Sequence, residues 1–101
     1  MLHSKALTLD QNSKLLYVLG IEVHLTKTEY LLIELFLLNE QHIVERSIVL
    51  SACKLFDGKG SDQMLNLHVS RLRVKIRKAG GGGIHIRYIR LWALSKSSIH
   101  F

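Results

Sequence analysis

Apolar and polar positions along the chain change period twice, and each change marks a new kind of element. In residues 7 to 25 they alternate: Leu7 and Leu9 around Thr8, then Ile21, Val23 and Leu25 around Glu22 and His24. A period of two is that of half-buried strands. Asp10, Gln11, Asn12 and Ser13 read as a loop, and Leu19-Gly20 as a tight turn before the second strand. A small antiparallel sheet is therefore expected to open the domain.

The period lengthens at Thr26. Thr26 with Glu29 three residues later forms a capping box, which satisfies two free amides at a helix start. The helix it opens should run to about Asn39, with Leu31, Leu32, Leu35 and Leu38 as its core stripe. Ile33, Phe36 and Leu37 widen that stripe so far that this should be the central helix. A second helix fits residues 45 to 56, with Val49, Ala52, Cys53 and Phe56 on one face, ended by the turn-formers from Asp57 onward. Ser61 or Asp62 can cap a third helix reaching about Ala79, where Gly80 stops it. Leu65, Val69, Leu72 and Ile76 form its narrow apolar stripe. Gln63, Leu67, Ser70, Arg71, Val74 and Lys78 lie opposite, flanked by Asn66, Arg73, Lys75 and Arg77. After the glycines at 80 to 83, Ile84, Ile86 and Tyr88 alternate with His85 and Arg87, so a closing hairpin is expected to about residue 94. Residues 95 to 101 read as a frayed tail.

Composition bounds the class. A chain of 101 residues with 48% hydrophobic positions is one globular domain, spanning 1 to 101 with its core at about 7 to 94. The net charge of +6 is unevenly placed. Residues 1 to 62 hold six Lys and Arg against all eight acids, whereas residues 63 to 101 hold eight Lys and Arg and no acid. Such a purely basic end predicts a polyanionic partner. Cys53 stands alone, which excludes a disulfide framework and fits a reducing compartment. Residues 30 to 38, the most apolar stretch, are too short to span a bilayer, and no secretory signal is visible. A cytoplasmic protein that does not contact membrane is expected.

Strands, three helices with the third basic, then a hairpin is the order of a winged helix-turn-helix, an α+β fold. The residues also resemble the DNA-binding effector domain of OmpR/PhoB-type response regulators. The resemblance covers about residues 7 to 94. It rests on Leu25-Thr26-x-x-Glu29-Tyr30-x-Leu32, on Val44-x-Arg46-x-x-Val49, and most specifically on the run from Asn66 to Ile76, Asn-Leu-His-Val-Ser-Arg-Leu-Arg-Val-Lys-Ile. It implies a bacterial-type transcription regulator whose third helix lies in the major groove of double-stranded DNA and whose wing touches the adjacent backbone or minor groove. The departures are in the wing, where the family's Thr-Val-Arg-Gly-x-Gly-Tyr run is replaced by Tyr88-Ile89-Arg90-Leu91-Trp92-Ala93-Leu94. The arginine remains and both glycines are gone. At the end of the second helix, Lys54 stands in place of the usual Trp.

On that reading Arg71 suits guanine O6 and N7, Asn66 suits adenine, and Leu67 suits a thymine methyl. Arg73, Lys75, Arg77 and Lys78 suit phosphates, as do Lys54 and the wing residues Arg87 and Arg90. Gln63, His68, Ser70 and Val74 complete the candidate surface. Asp57, Gly58, Lys59, Gly60 and Ser61 correspond to a segment that touches RNA polymerase in several family members; a plain connection is the equal alternative. Tandem protomers on direct repeats are implied by the same resemblance. The other function class is a winged helix that binds another regulator, suggested by the altered wing and by Leu67, Val74 and Trp92. No enzyme motif is present: the six histidines form no metal-ligand spacing, Cys53 falls on a core stripe, and Gly58-Lys59-Gly60-Ser61 lacks the spacing of a phosphate-binding loop. Neither a cofactor nor a metal is expected.

Overall fold

The computed structural model describes residues 1–4, 6–39, 43–54, 60–80, 90–91 and 98–100. Four strands, β1 (Leu2–Ser4), β2 (Leu7–Asp10), β3 (Leu15–Val18) and β4 (Ile21–Val23), form an antiparallel meander in chain order. Leu9 faces Leu16 and Leu7 faces Val18 across β2 and β3, and Leu16 faces Val23 across β3 and β4. All five are buried, so one face of the sheet supplies the core. β1 carries no alternation long enough to be read from the sequence, yet it pairs with β2 from Leu2 to Ser4.

Two turns hold the meander. Asp10 Oδ1 accepts from the amides of Asn12 at 2.9 Å and Ser13 at 3.3 Å, an Asx-type turn. These bonds, Ser13's first, hold the Asp10 carboxyl below its ordinary pKa. Leu19 and Gly20 both have positive φ, 52° and 82°, between the paired Val18 and Ile21. That is a two-residue hairpin with the twist of a type I′ turn.

The first helix, α1 (Lys27–Leu38), starts with the capping box: Thr26 Oγ1 accepts from the Glu29 amide, and Glu29 Oε1 accepts from the Thr26 amide. Its buried residues are Glu29, Tyr30, Leu32, Ile33 and Phe36. The expected stripe is therefore rotated. Leu31 and Leu35 are only partly buried and Leu38 is 58% exposed. With seven apolar residues between 31 and 38, hydropathy leaves the rotation of this helix undetermined, and Glu29 fixes it.

The second helix, α2 (Arg46–Ala52), is shorter than expected. Glu45 belongs instead to β5 (Ile43–Glu45), and Lys54 takes φ 58°, a left-handed conformation that ends the helical path. Val49, Leu50 and Cys53 are buried and Ala52 partly so; Phe56 lies outside the described residues. The third helix, α3 (Ser61–Lys78), buries Leu65, Val69, Leu72 and Ile76, the stripe its sequence predicts. Neither Ser61 nor Asp62 caps it. The N-cap is Gly60, at φ 87° and with no side-chain bond, and Ser61 is already the first helical residue. Gly60 supplies a left-handed turn into the helix that other residues adopt only with strain. At the other end Gly80, at φ 94°, donates to the Arg77 carbonyl and closes α3 where expected.

At the C-terminal end β6 (Arg90–Leu91) and β7 (Ser98–His100) form a second sheet with β5, in the order β5-β7-β6. This corrects the expected tail, since residues 98 to 100 are the central strand. β5 and β6 both present backbone donors and acceptors that need partners, and β7 supplies them on its two edges. The hairpin pairing described is thus Arg90–Leu91 with residues 99 and 100. Residues 81–89 and 92–97, which carry the rest of the expected wing, lie outside the described residues. The inner face of the four-stranded sheet, the buried apolar residues of α1, α2 and α3, and Cys53 form one hydrophobic cluster. The fold is a winged helix, with α1 in contact with β1, α2 and α3.

Candidate nucleic-acid interface

Burial of one face of α3 determines what the other presents. At about 100° per residue, Leu67 and Val74 stand opposite the buried stripe. Gln63, Asn66, Leu67, Ser70, Arg71, Val74, Arg77 and Lys78 are all exposed. Met64, which sequence reasoning passes over, is exposed beside them; its signal is its place one turn before Leu67 and two turns before Arg71, outside the core stripe. Lys75, Arg77 and Lys78 crowd the last turn, where cations also complement the helix dipole.

The flanks differ from this face. His68 is half-buried. Arg73 is half-buried too, and burial, followed by the nearby Arg77 charge, lowers its pKa. Lys75 is committed to the fold: its Nζ donates to Glu29 Oε1 at 2.5 Å and to the His24 carbonyl at 3.0 Å. Burial alone pushes the Glu29 carboxyl up, but the bond from Lys75 and the Thr26 amide bring its pKa below the ordinary value. A charge count groups Lys75 with the phosphate cations because it cannot see a partner 46 residues away. The capping motif assigns Glu29 only to the helix start. Its second role shows in the sequence only as a carboxylate one turn ahead of the buried Leu32 and Ile33.

Of the remaining candidates, Lys54 is exposed just past α2, Gly60 is the α3 N-cap, Ser61 is buried, and Arg90 lies on β6. Asp57, Gly58, Lys59, Arg87 and Trp92 lie outside the described residues. Cys53 is buried, and burial raises its thiol pKa to about 11, which suits packing rather than nucleophilic chemistry. Among the described residues no group of three His, Cys, Asp or Glu could hold a metal ion, and no helix is long and apolar enough to cross a membrane.

The family description "Transcriptional regulatory protein, C terminal" matches residues 20–91, from the hairpin turn through α3 to β6. The chain belongs to this family. Its relatives include the transcriptional regulatory protein QseB of Haemophilus influenzae, 34% identical over 70 residues, and the response regulator ArlR of Staphylococcus aureus, 30% identical over 71 residues. These matches cover 69% and 70% of this chain but 32% of each relative, so the aligned stretch spans about a third of their length. Among solved structures, the DNA-binding domain of the response regulator AdeR, in complex with an intercistronic region, superposes with a TM-score of 0.73 over 97% of this chain and 96% of that one. At 21% identity that match establishes the fold. Family and fold therefore agree with the OmpR/PhoB-type effector domain that the motifs resemble.

Proposed function

We propose that this OmpR/PhoB-type domain is a sequence-specific, double-stranded DNA-binding transcription regulator that lays α3 in the major groove. The observation that carries the reading is the exposed face of α3. It sets Arg71 and Lys78 beside Leu67 and Val74, with Arg77 at its edge, directly opposite a stripe buried in the core. A helix anchored this way can enter a groove about 12 Å wide without disturbing the fold behind it. The related AdeR domain, whose structure contains an intercistronic region, supports the same partner.

Within this reading Arg71 contacts guanine, and Gln63, Asn66 and Ser70 reach neighbouring base edges. Arg77 and Lys78 bind phosphates on the face, with Arg73 and His68 at its flanks and Lys54 beyond α2. Lys75 drops out of the contact set because Glu29 and His24 hold its ammonium. Arg87 and Arg90 extend the phosphate contacts from the wing. Protomers sit in tandem on direct repeats about 10 to 11 base pairs apart. The segment from Asp57 to Ser61 is the candidate contact with RNA polymerase, and the domain works in the cytoplasm without catalysis.

In vitro selection from a random duplex library at two salt concentrations tests the proposal. An enriched motif is expected, with a logarithmic salt slope of roughly −5 if six phosphates are neutralised. A selection that enriches no motif would overturn sequence-specific reading, and binding that is flat in salt would overturn DNA binding altogether.

A further inference from the structure

The line of α3 farthest from the core is not its most charged. Leu67 and Val74, 40% and 39% exposed, lie at the centre of the outward face, with Arg71 and Lys78 along one side and Gln63 and Ser70 along the other. A helix turned only toward water would carry polar residues on that line. The two apolar residues are seven positions apart, with Arg71 between them. In a major-groove helix, side chains three or four positions apart meet successive bases, so the three residues span about three base pairs.

Thymine, with its C5-methyl, is the one base of the four that offers an apolar group in the major groove. Over any other base edge, Leu or Val would strip water from donors and acceptors and return no hydrogen bond. We infer that Leu67 and Val74 are paired methyl readers, each seated on a thymine methyl about two base pairs from the other, with a guanine under Arg71 between them. The inference rests on the DNA-binding reading of α3 and specifies what that surface recognises. Charge favours DNA over a protein partner for the same surface, since cations border the apolar line and Asp62 is the one acid in α3.

The test runs the selection in parallel on random duplexes built with thymine and with uracil, which lacks the methyl. The thymine library is expected to yield a motif with two thymines flanking a guanine. Rebuilt with uracil at both positions, the recovered duplex should bind about fourfold more weakly per methyl and about fifteenfold for the pair, from roughly 0.8 kcal/mol per buried carbon. In the Leu67→Ala, Val74→Ala double variant the thymine-to-uracil ratio should fall to about one while the salt slope stays unchanged. Equal affinity of the wild-type chain for both duplexes, or a motif without the thymine pair, overturns the inference and leaves DNA binding standing. Salt-dependent binding with no motif overturns base reading of every kind. Absence of salt-dependent binding to either library overturns both proposals.

Discussion

Lys75 Nζ stands 2.5 Å from Glu29 Oε1, joining the middle of the last third of α3 to the first turn of α1. The same ammonium holds the His24 carbonyl, and the same carboxylate closes the capping box on Thr26. One pair thus ties three segments together: the end of the sheet, the start of the central helix and the helix that carries the candidate interface. Rotation of α3 about its axis would break both Lys75 bonds, so the pair also fixes which side chains face outward.

Removing both partners should cost less than the sum of the two single losses. A fully buried pair loses about 3–5 kcal/mol when one member is deleted, because the other charge stays behind without compensation. The Glu29 side chain is 1% exposed but that of Lys75 is 34% exposed, so water moderates the loss and about 2 kcal/mol is expected for Lys75→Met. Glu29→Gln keeps an acceptor for the cap and should cost about 1 kcal/mol. Urea denaturation of both single variants and the double should show favourable coupling of at least about 0.5 kcal/mol. Strict additivity would mean that the pair contributes nothing.

The same carboxylate predicts how stability responds to acid. Its pKa in the folded state lies below the ordinary value of 4.5. Folding therefore gains from the ionised form, fully above about pH 4.5, and loses that gain as pH falls through the lowered folded value. Asp10 is lowered too and titrates in the same direction. Urea midpoints measured from pH 7 to pH 3 should fall at the acid end. Glu29→Gln should flatten part of that fall, and an identical acid limb in the variant would contradict the assignment.

How much of this was visible in the sequence depended on how sharply each element separates its faces. In α3 apolar and basic residues are segregated, so Leu65, Val69, Leu72 and Ile76 could be read as core and the outward face followed. In α1 nearly every position from 31 to 38 is apolar, so hydropathy predicts the helix but not its rotation, and Leu38, expected in the core, is exposed. Three-residue strands such as Leu2–Ser4 and Ile43–Glu45 hold at most one and a half periods, and their pairing depends on partners that local pattern cannot show. The bonds of Lys75 to Glu29 and His24 are hidden for the same reason, since both partners lie far away in the sequence.

The hairpin turn offers a stabilising change. Leu19 holds φ 52° at the first central position, a left-handed conformation that a branched apolar residue adopts with strain and asparagine adopts readily. Its side chain is 59% exposed, so little packing is lost on replacement. Leu19→Asn should raise stability by about 0.5–1 kcal/mol. Gly20→Ala should lower it, although the space around Gly20 is open, because φ is +82° there. Thermal melts of the two variants should move in opposite directions; a shift in the same direction would show that side-chain contacts, not backbone conformation, control the turn.

On DNA, three cations of α3 should separate by role. Arg71 sits on the outward face, where loss of a bidentate guanine contact costs about 1–3 kcal/mol and relaxes discrimination at one position. Lys78, one turn beyond Val74, is exposed and suited to a phosphate, so Lys78→Ala should weaken all sequences alike and reduce the magnitude of the salt slope by about 1. Lys75 carries the same formal charge a few residues away, but its ammonium already serves Glu29 and His24. Lys75→Met should therefore lower folding stability while leaving the salt slope of the folded fraction unchanged. Fluorescence anisotropy with the selected duplex over a salt series, beside urea melts of each variant, measures both quantities. A salt slope that drops by a full unit in Lys75→Met would return that residue to the DNA surface.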